Sequence, residues 1–218
     1  MTLTPIARLI NDFPEKFGLP RQSGLNPHLI SRVEFEKPFS GPDFIKGITG
    51  FSHLWLLWQF DVPASRSATV RPPRLGGNER LGVFATRSPF RPNPLGLTVV
   101  KLEKVLPGAL LVSGADMKSG TVIYDIKPYI PYADRVDGAL GSFADAHARD
   151  RLKVVIPAQI RALVPEDKLD TLTEALSEDP RPAYQEDPDR VYGFLYAGLN
   201  VRFTVSQDTL TVTEISKE

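Results

Sequence analysis

The chain of 218 residues contains no cysteine. This absence excludes disulfide bonds, thiolate metal sites and cysteine nucleophiles, and it fits the reducing cytoplasm, where we expect the protein to work. The N-terminal residues lack a basic start followed by an apolar run, so they do not resemble a secretory signal. No stretch approaches the ~20 consecutive apolar residues that a membrane-spanning helix needs, so no membrane association is expected.

Sequence motifs of several common enzyme classes are also missing. Neither G-x-G-x-x-G nor G-x-x-x-x-G-K-[ST] is present, which argues against a dinucleotide-binding fold and a phosphate-binding loop. A G-x-S-x-G nucleophile motif is absent too. The three histidines, His28, His53 and His147, lie far apart without metal-ligand spacing, so no metal site is predicted.

Charge is balanced overall but segregated along the chain. The formal net charge is zero, which argues against non-specific coating of nucleic acid. Six arginines accompany one acidic residue between positions 66 and 91, whereas nine acidic residues accompany three basic ones between 166 and 190. Two solvated faces of opposite sign would explain both runs. Because guanidinium groups bind phosphate or carboxylate through paired hydrogen bonds, the arginine run is also a candidate anion-binding surface.

Short strands are predicted for the first two-thirds of the chain. Prolines and glycines punctuate apolar runs rich in Val, Ile, Phe, Trp and Thr, and this pattern leaves little room for long helices. Many short strands without interleaved helices favour an antiparallel barrel or sandwich. The predicted strands span residues 6–10, 51–60, 82–86, 95–105, 110–114 and 121–129.

The pattern changes near residue 145. Helices are predicted over 157–163 and 165–176, each opened by a proline at its first position. A hairpin over 191–196 and 200–205, with a last strand over 210–215, is expected to follow. A lapse in hydrophobic periodicity between 139 and 149 marks a soft boundary. We therefore expect a mainly β domain over 1–142 and a small α+β C-terminal domain over 143–218.

Two proline-rich segments carry arginines. The segment 69–78, TVRPPRLGGN, places Arg71 and Arg74 on a backbone stiffened by two prolines, although a plain loop between strands would explain it equally well. The segment 82–97, GVFATRSPFRPNPLGL, carries two arginines four residues apart on a stiff loop. Such a loop loses little entropy when it binds a ligand, which favours a binding function over a simple connection.

A third segment, DIKPYIPYAD over 125–134, combines an acid, a base and a phenol. Alternate side chains of a strand share a face, so Asp125, Lys127 and Tyr129 are predicted to form one row. The opposite face is predicted to hold Tyr124, Ile126 and Ile130. An exposed Asp–Lys pair worth at most about 1 kcal/mol is the structural alternative.

These segments belong to a longer series of motifs, which runs in order from about residue 6 to residue 202. The series comprises PRQSGL (20–25), GFSHLWLLWQF (50–60), TVRPPRLGGN, GVFATRSPFRPNPLGL, DIKPYIPYAD and DPRPAY (179–184). It resembles the bacterial TsaA-like family, whose members are tRNA methyltransferases. They methylate N6 of threonylcarbamoyladenosine at position 37, just 3′ of the anticodon. The resemblance implies a β-barrel methyltransferase domain, a homodimer, S-adenosyl-L-methionine as methyl donor, and the anticodon stem-loop of tRNA as partner.

The resemblance also implies a cofactor pocket. In it Arg87 would bind the α-carboxylate of the donor, Leu97 would pack on its adenine, and the main chain of 120–123 would bind the edge of that base. This chain departs from some relatives at Asp61 and Val62, where those relatives have His-Gln, so no cofactor contact is assigned to Asp61. The cofactor residues implied by the motifs are Arg21, Gln22, Arg87, Leu97, Gly120, Thr121, Val122 and Ile123.

Roles in catalysis and in tRNA binding follow from the same resemblance. The substrate N6 is conjugated to a carbonyl and is a poor nucleophile, so a base is expected near it: Asp125, held by Lys127, or Tyr129. Phe90 is a candidate for stacking on a base. Two alternatives stay open, a non-catalytic RNA-binding barrel and a small-molecule methyltransferase. The arginines expected to meet phosphates are Arg71, Arg74, Arg80 and Arg91.

Overall fold

The structure is a computed structural model, which describes residues 2–72, 79–146, 151–181 and 187–218. Arg74, His147 and the end of the DPRPAY motif lie outside the described residues. Six antiparallel strands form a closed barrel in the order β1-β2-β7-β6-β3-β8. The barrel strands, numbered in chain order, are β1 (Ala7–Ile10), β2 (Ile30–Phe35), β3 (His53–Gln59), β6 (Leu95–Leu106), β7 (Ala109–Ser113) and β8 (Thr121–Pro128).

Alternation along β3 shows how the sequence builds the barrel. Leu54, Leu56 and Trp58 are buried in the barrel core, whereas the residues between them face outward. The two-residue period of an apolar run thus turns one side of the strand into core and leaves the other side as surface. The predicted barrel and its mainly β class are confirmed.

Two local predictions are wrong. Residues 82–86 were expected as a strand, but only Leu81–Gly82 (β5) pairs, with Thr69–Val70 (β4), before a 3-10 helix over Val83–Ala85. The hydroxyl of Thr86 donates to the carbonyl of Val83 and closes this turn at 2.9 Å. Strand β2 was not predicted, because its inward positions include Ser31 and two of its outward positions, Arg32 and Glu34, are charged. Further 3-10 helices span Lys37–Phe39, Pro42–Ile45 and Ile48–Gly50.

The C-terminal unit is a four-stranded sheet in the order β10-β11-β12-β9, with β9 parallel to β12. Helix α4 buries Leu169, Leu172 and Leu176 in the core of this unit, as the helical spacing of these leucines predicts. Its elements are β9 (Lys153–Val155), α3 (Ala158–Arg161), α4 (Glu166–Ser177), β10 (Tyr192–Tyr196), β11 (Leu199–Ser206) and β12 (Thr209–Lys217). The short helices α1 (Pro131–Asp134) and α2 (Phe143–Ala146) precede it. The domain boundary between 142 and 143 stays a prediction.

Residues 11–29, which connect β1 to β2, join the two units. Phe13 and Leu29 belong to the C-terminal core, although both precede the second barrel strand in the chain. The side chain of Asn26 donates to the carbonyl of Thr171 at 2.9 Å, and Lys168 pairs with Asp12 at 2.7 Å. The segment therefore docks the C-terminal unit onto one end of the barrel. Among the helices in the described ranges, none has the length and apolar character to cross a membrane.

Candidate active site

The cofactor residues predicted from two distant motifs meet at one end of the barrel. Arg87 follows the 3-10 turn at Val83–Ala85, and its guanidinium Nη1 donates to Oε1 of Gln22 at 2.6 Å. Arg87 is exposed, so this single contact leaves most of its guanidinium open to solvent. The pair places a positive group on a held loop, which is the arrangement that a ligand carboxylate requires.

The loop that carries Arg87 is braced from inside. Nη1 of Arg91 donates to the carbonyl oxygens of Thr86 and Ser88 at 2.9 and 3.3 Å. Arg91 therefore supports the loop, and its predicted phosphate contact stays a prediction. Nε of Arg80 donates to the hydroxyl of Thr69 at 2.9 Å, across the β4–β5 ribbon.

A buried polar chain, which sequence reasoning missed, reaches the same end of the barrel. The indole Nε1 of Trp58 donates to Oγ1 of Thr98 at 2.9 Å, and Oγ1 of Thr98 donates to Oδ1 of Asp116 at 2.7 Å. Burial raises the pKa of the Asp116 carboxyl, against the opposing effects of the Thr98 hydrogen bond, main-chain hydrogen bonds and the Arg87 charge. Residues 114–116, Gly-Ala-Asp, match no known motif. The sequence shows only that an acidic residue follows an apolar strand.

The outer face of the barrel brings together a second group of predicted residues. Leu97 on β6 lies opposite Leu57 on β3, which in turn lies opposite Asp125 on β8. Leu97 is 61% exposed, so its apolar side chain is accessible from solvent. One row across three strands thus runs from an exposed apolar side chain to a carboxylate.

The predicted Asp–Lys–Tyr row lies on this outer face. Nζ of Lys127 lies 3.1 Å from Oδ2 of Asp125, and the amide of Ile126 donates to Oδ1 at 3.0 Å. The ring of Tyr129 packs against Trp55, with centroids 5.8 Å apart. Both oxygens of the carboxylate are therefore engaged, while its outer side stays open to a ligand.

One part of the predicted alternation is wrong. Tyr124 was expected to point inward with Ile126, but its hydroxyl donates to Oε1 of the outward-facing Gln59. The cause is a β-bulge, since Leu57 pairs with Asp125 and the next residue, Trp58, pairs with Ile123. The extra residue changes which side chains face outward from that point on.

The predicted segment 120–123 starts β8. Gly120 has a φ of +84°, which favours glycine, and its amide donates to the carbonyl of Leu9 at 2.7 Å. Thr121 and Ile123 point into the barrel, so their side chains serve its core. The ladder with β3 begins only at Ile123, so the main chain of Thr121 and Val122 extends past the end of that strand.

Asp61, at the departure from the family pattern, is close to this segment. Its carboxylate accepts a hydrogen bond from Nζ of Lys118 at 2.6 Å. This hydrogen bond and the Lys118 charge hold the pKa of Asp61 below its usual range. The ion pair gives Asp61 a partner of its own.

Arg21 contacts the C-terminal unit. Its Nη2 donates to the main-chain carbonyls of Asp179 and Arg181 at 2.6 and 2.8 Å. Arg181 in turn donates twice to the Asp179 carboxylate, at 2.8 and 2.9 Å. The guanidinium of Arg21 thus holds the start of the DPRPAY motif, and its predicted cofactor contact stays a prediction.

The structure therefore gathers the predicted residues into two groups. Arg87 and Gln22 lie at the barrel end, whereas Leu97, Asp125 and Lys127 lie on the outer face. Across the described ranges, no hydrogen bond or ion pair joins Arg87 to Asp125. No group of three or more potential metal ligands occurs in the described part of the chain.

A closed six-stranded barrel with a braced arginine loop and an appended α+β unit defines a class of β-barrel proteins distinct from the α/β nucleotide-binding folds. Residues 9–135 match the family model of the tRNA-methyltransferase O N-terminal domain, and residues 149–218 match the family model of the TrmO C-terminal domain. The chain belongs to the tRNA-methyltransferase O family.

Individual relatives agree with this assignment. The tRNA (adenine(37)-N6)-methyltransferase of Escherichia coli K12 is 38% identical over 208 residues, which cover 89% of this chain and 88% of that protein. RcsF of Pseudomonas aeruginosa PAO1, whose name describes an S-adenosylmethionine-dependent methyltransferase, is 40% identical over 215 residues, or 93% of this chain and 91% of that protein. A crystal structure of TrmO from P. aeruginosa superposes with a TM-score of 0.84 at 34% identity, and covers 100% of this chain and 97% of that one.

Proposed function

We propose that this protein transfers the methyl group of S-adenosyl-L-methionine to N6 of threonylcarbamoyladenosine at tRNA position 37. The observation that carries the proposal is the family match over both units, together with a relative that is named for adenine-37 N6 methylation and covers most of the chain. The arginine loop at the barrel end supports the same assignment, because it offers an exposed guanidinium to an anionic ligand.

The residues present fit the donor. Its carboxylate needs a cation, which Arg87 supplies, and its adenine needs an apolar wall, which the exposed Leu97 side chain supplies. The main chain of Thr121 and Val122 lies beyond the last residue pair of the β3–β8 ladder, so it is the proposed contact for the purine edge. Gln22 orients the guanidinium of Arg87. When bound, the cofactor supplies a methyl group activated by a positively charged sulfur.

The task of the chain itself is to align the substrate and to remove a proton. Asp125, held by Lys127, is the proposed acceptor for the N6 proton, because it presents a carboxylate on an open surface next to apolar side chains. Alignment of the attacking nitrogen supplies most of the remaining rate enhancement. Tyr129 is the alternative hydrogen-bonding group on the same row.

The tRNA is proposed to lie along the arginine-rich face. Arg71 and Arg80 are exposed on either side of the β4–β5 ribbon, and Phe90 projects from the braced loop with a half-exposed ring. Phosphates of the anticodon stem would contact the arginines, and a base of the loop would stack on Phe90. The acidic C-terminal unit would contact nucleic acid weakly by comparison.

A homodimer is proposed for the active form. Leu97, at one end of the row that leads to Asp125, is 61% exposed in the single chain, so a second copy packed against it would shield this side chain and enclose a site between two subunits. Arg87 of one subunit and Asp125 of the other would then be able to meet, although they do not touch within one chain. The proposed dimer is expected to act on tRNA in the cytoplasm.

Nucleoside mass spectrometry of tRNA from a deletion strain tests the function. Loss of N6-methylated threonylcarbamoyladenosine, with rescue by the wild-type gene, is the expected result. Arg87→Ala should fail to rescue, whereas Arg202→Ala should rescue fully, because that exposed arginine only pairs with Glu214 on the C-terminal sheet. Unchanged nucleosides in the deletion strain would contradict the proposal. Saturable cofactor binding would then point to a small-molecule methyltransferase, and no binding to an RNA-binding barrel.

The role of Asp125 has its own test. Asp125→Ala should lower kcat by roughly a hundredfold, as loss of a general base does, while cofactor affinity stays unchanged. Glu34→Ala is the matched control, because Glu34 is also an exposed barrel carboxylate paired with a cation two residues away, at 2.7 Å. A kcat for Asp125→Ala equal to that of the control would remove Asp125 from the mechanism.

A further inference from the structure

The chain of hydrogen bonds from Trp58 through Thr98 ends at the carboxyl group of Asp116, and neither catalysis nor binding as described above uses this buried acid. Thr98 is 2% exposed and Trp58 is 5% exposed, so the chain runs through the barrel core. Asp116 accepts the Thr98 hydroxyl at 2.7 Å, and burial raises its pKa, so the fold places an acid where a charge is unfavourable. A neutral or apolar side chain would fill this place with less loss of hydration free energy.

The other side of Asp116 faces the turn that holds Arg87. The main chain of Ser23 lies close enough to the Asp116 carboxyl group to oppose the rise in its pKa, and the amide of Gly24 donates to the carbonyl of Gly114 at 2.9 Å. The turn also lies flat on this strand end, because a Cβ on Gly114 would come within 3.3 Å of the Gly24 main chain. Residues 23–24 are therefore held against residues 114–116 by one main-chain hydrogen bond and a close contact.

Gln22 connects this turn to the guanidinium. Its Oε1 accepts Nη1 of Arg87 at 2.6 Å, and the charge of Arg87 lies near enough to Asp116 to act on its carboxyl group. A continuous path thus leads from the packed indole of Trp58 through Thr98, Asp116 and the 22–24 turn to an exposed arginine. The links are hydrogen bonds, peptide bonds and the close approach of the Ser23 main chain to Asp116, so a rigid core restrains the position of a surface group.

We propose that Asp116 is a positioning residue, which anchors the Gln22–Ser23 turn to the barrel core and thereby holds Arg87 in place for the carboxylate of the cofactor. This inference rests on the proposed function, in which Arg87 binds that carboxylate. Asp116 acts only through Ser23, Gln22 and Arg87. It contributes to affinity for the amino-acid part of the cofactor and leaves its adenosine part unaffected.

Two ligands separate this role from general damage to the fold. S-adenosylhomocysteine has the amino-acid carboxylate, whereas 5′-methylthioadenosine lacks it and keeps the adenosine and the sulfur. Calorimetric titration of Asp116→Asn should show affinity for S-adenosylhomocysteine reduced roughly tenfold to hundredfold, with affinity for methylthioadenosine within about twofold of wild type. Arg87→Ala should give the same pattern. Asp208→Asn, on an exposed turn of the C-terminal sheet, is the control and should change neither affinity.

A second pair of variants keeps the test decisive if Asp116→Asn fails to fold. Thr98→Val removes the hydroxyl group that donates to Asp116 and leaves the side-chain volume nearly unchanged. Thr98→Ser keeps the hydroxyl group. Thr98→Val should weaken S-adenosylhomocysteine selectively and raise KM for the methyl donor with kcat unchanged, and Thr98→Ser should recover wild-type values.

The outcomes also separate the inference from the proposed function. If the wild-type protein binds neither ligand, the proposed function fails and the role of Asp116 falls with it. If wild-type binding is normal and the Asp116 and Thr98 variants match it, or lose both ligands equally, only the positioning role is overturned. Selective loss of the carboxylate-bearing ligand supports it.

Discussion

Replacement of Gly96 by alanine is a sharp test of how the barrel core supports the site. Gly96 lies on β6 directly opposite Trp58 on β3, and both face the interior. A Cβ at this position would lie 2.2 Å from Cε2 and 2.4 Å from Cζ2 of the Trp58 indole. Glycine normally weakens a strand, so its presence here reflects the close approach of the indole.

The expected loss of stability follows from this geometry. Carbon atoms in contact prefer separations of about 3.5–4.0 Å, so the indole must move by more than about 1 Å. Overpacking of this kind costs about 1–3 kcal/mol. The movement also breaks the hydrogen bond from Trp58 to Thr98, which contributes about 0.5–1.5 kcal/mol. Gly96→Ala should therefore lower the free energy of unfolding by about 1.5–4.5 kcal/mol.

Guanidinium unfolding followed by tryptophan fluorescence measures this loss. Both tryptophans, Trp55 and Trp58, lie on β3, so the signal reports on the barrel. Gly82→Ala is the control, because a Cβ there has no neighbour within 4 Å and its φ is negative. That variant should stay within about 0.5 kcal/mol of wild type. Equal stability of the two variants would refute the steric reasoning.

Two further predictions concern the C-terminal unit. Gly18→Ala should destabilise the protein in urea unfolding by about 1–3 kcal/mol more than Gly47→Ala, because both glycines have positive φ but only a Cβ at Gly18 meets Phe194, at 2.5 Å. Similar losses in the two variants would assign the effect to backbone strain alone. Burial raises the pKa of the Tyr196 phenol well above its usual range. The neutral phenol therefore contributes fully to the free energy of unfolding below pH ~10, the pKa of an unfolded tyrosine. Above that pH this contribution falls by about 1.4 kcal/mol per pH unit. Tyr196→Phe should flatten that alkaline decline, and Tyr132→Phe, at an exposed position, should leave it unchanged.

Much of the fold follows from local patterns in the sequence. The Asp125–Lys127 side of β8 follows the predicted alternation, and α4 buries the leucines that its spacing indicates. The failures occur where local and non-local effects compete. In β2, outward Arg32 and Glu34 pair with each other and hide a strand that carries only a weak apolar signal. The bulge beside Tyr124 depends on how two strands close the barrel, which no single segment encodes.

The candidate site shows the same division. Motif resemblance identified Gln22 and Arg87, and the structure brings them into contact although they are 65 positions apart. Asp116 could not be found in this way, because its importance arises from burial and from partners on β6 and on the turn after β1. Residues that position a binding residue without touching the ligand have no charge pattern or spacing of their own in the sequence. They are therefore found only from their contacts in the folded structure.

Three successive residues show why the two units should function as one. Arg21 binds carbonyl groups of the C-terminal unit, Gln22 binds Arg87, and the main chain of Ser23 lies close to the carboxyl group of Asp116. A shift of any one anchor moves the main chain shared by all three, because three residues of a turn have few independent dihedral angles. The C-terminal unit therefore helps to place the arginine proposed to bind the cofactor, even though its acidic surface makes it a poor partner for phosphate. Its contact with Arg21 also explains why DPRPAY, far from the barrel in sequence, belongs to the same series of motifs as the arginine loop.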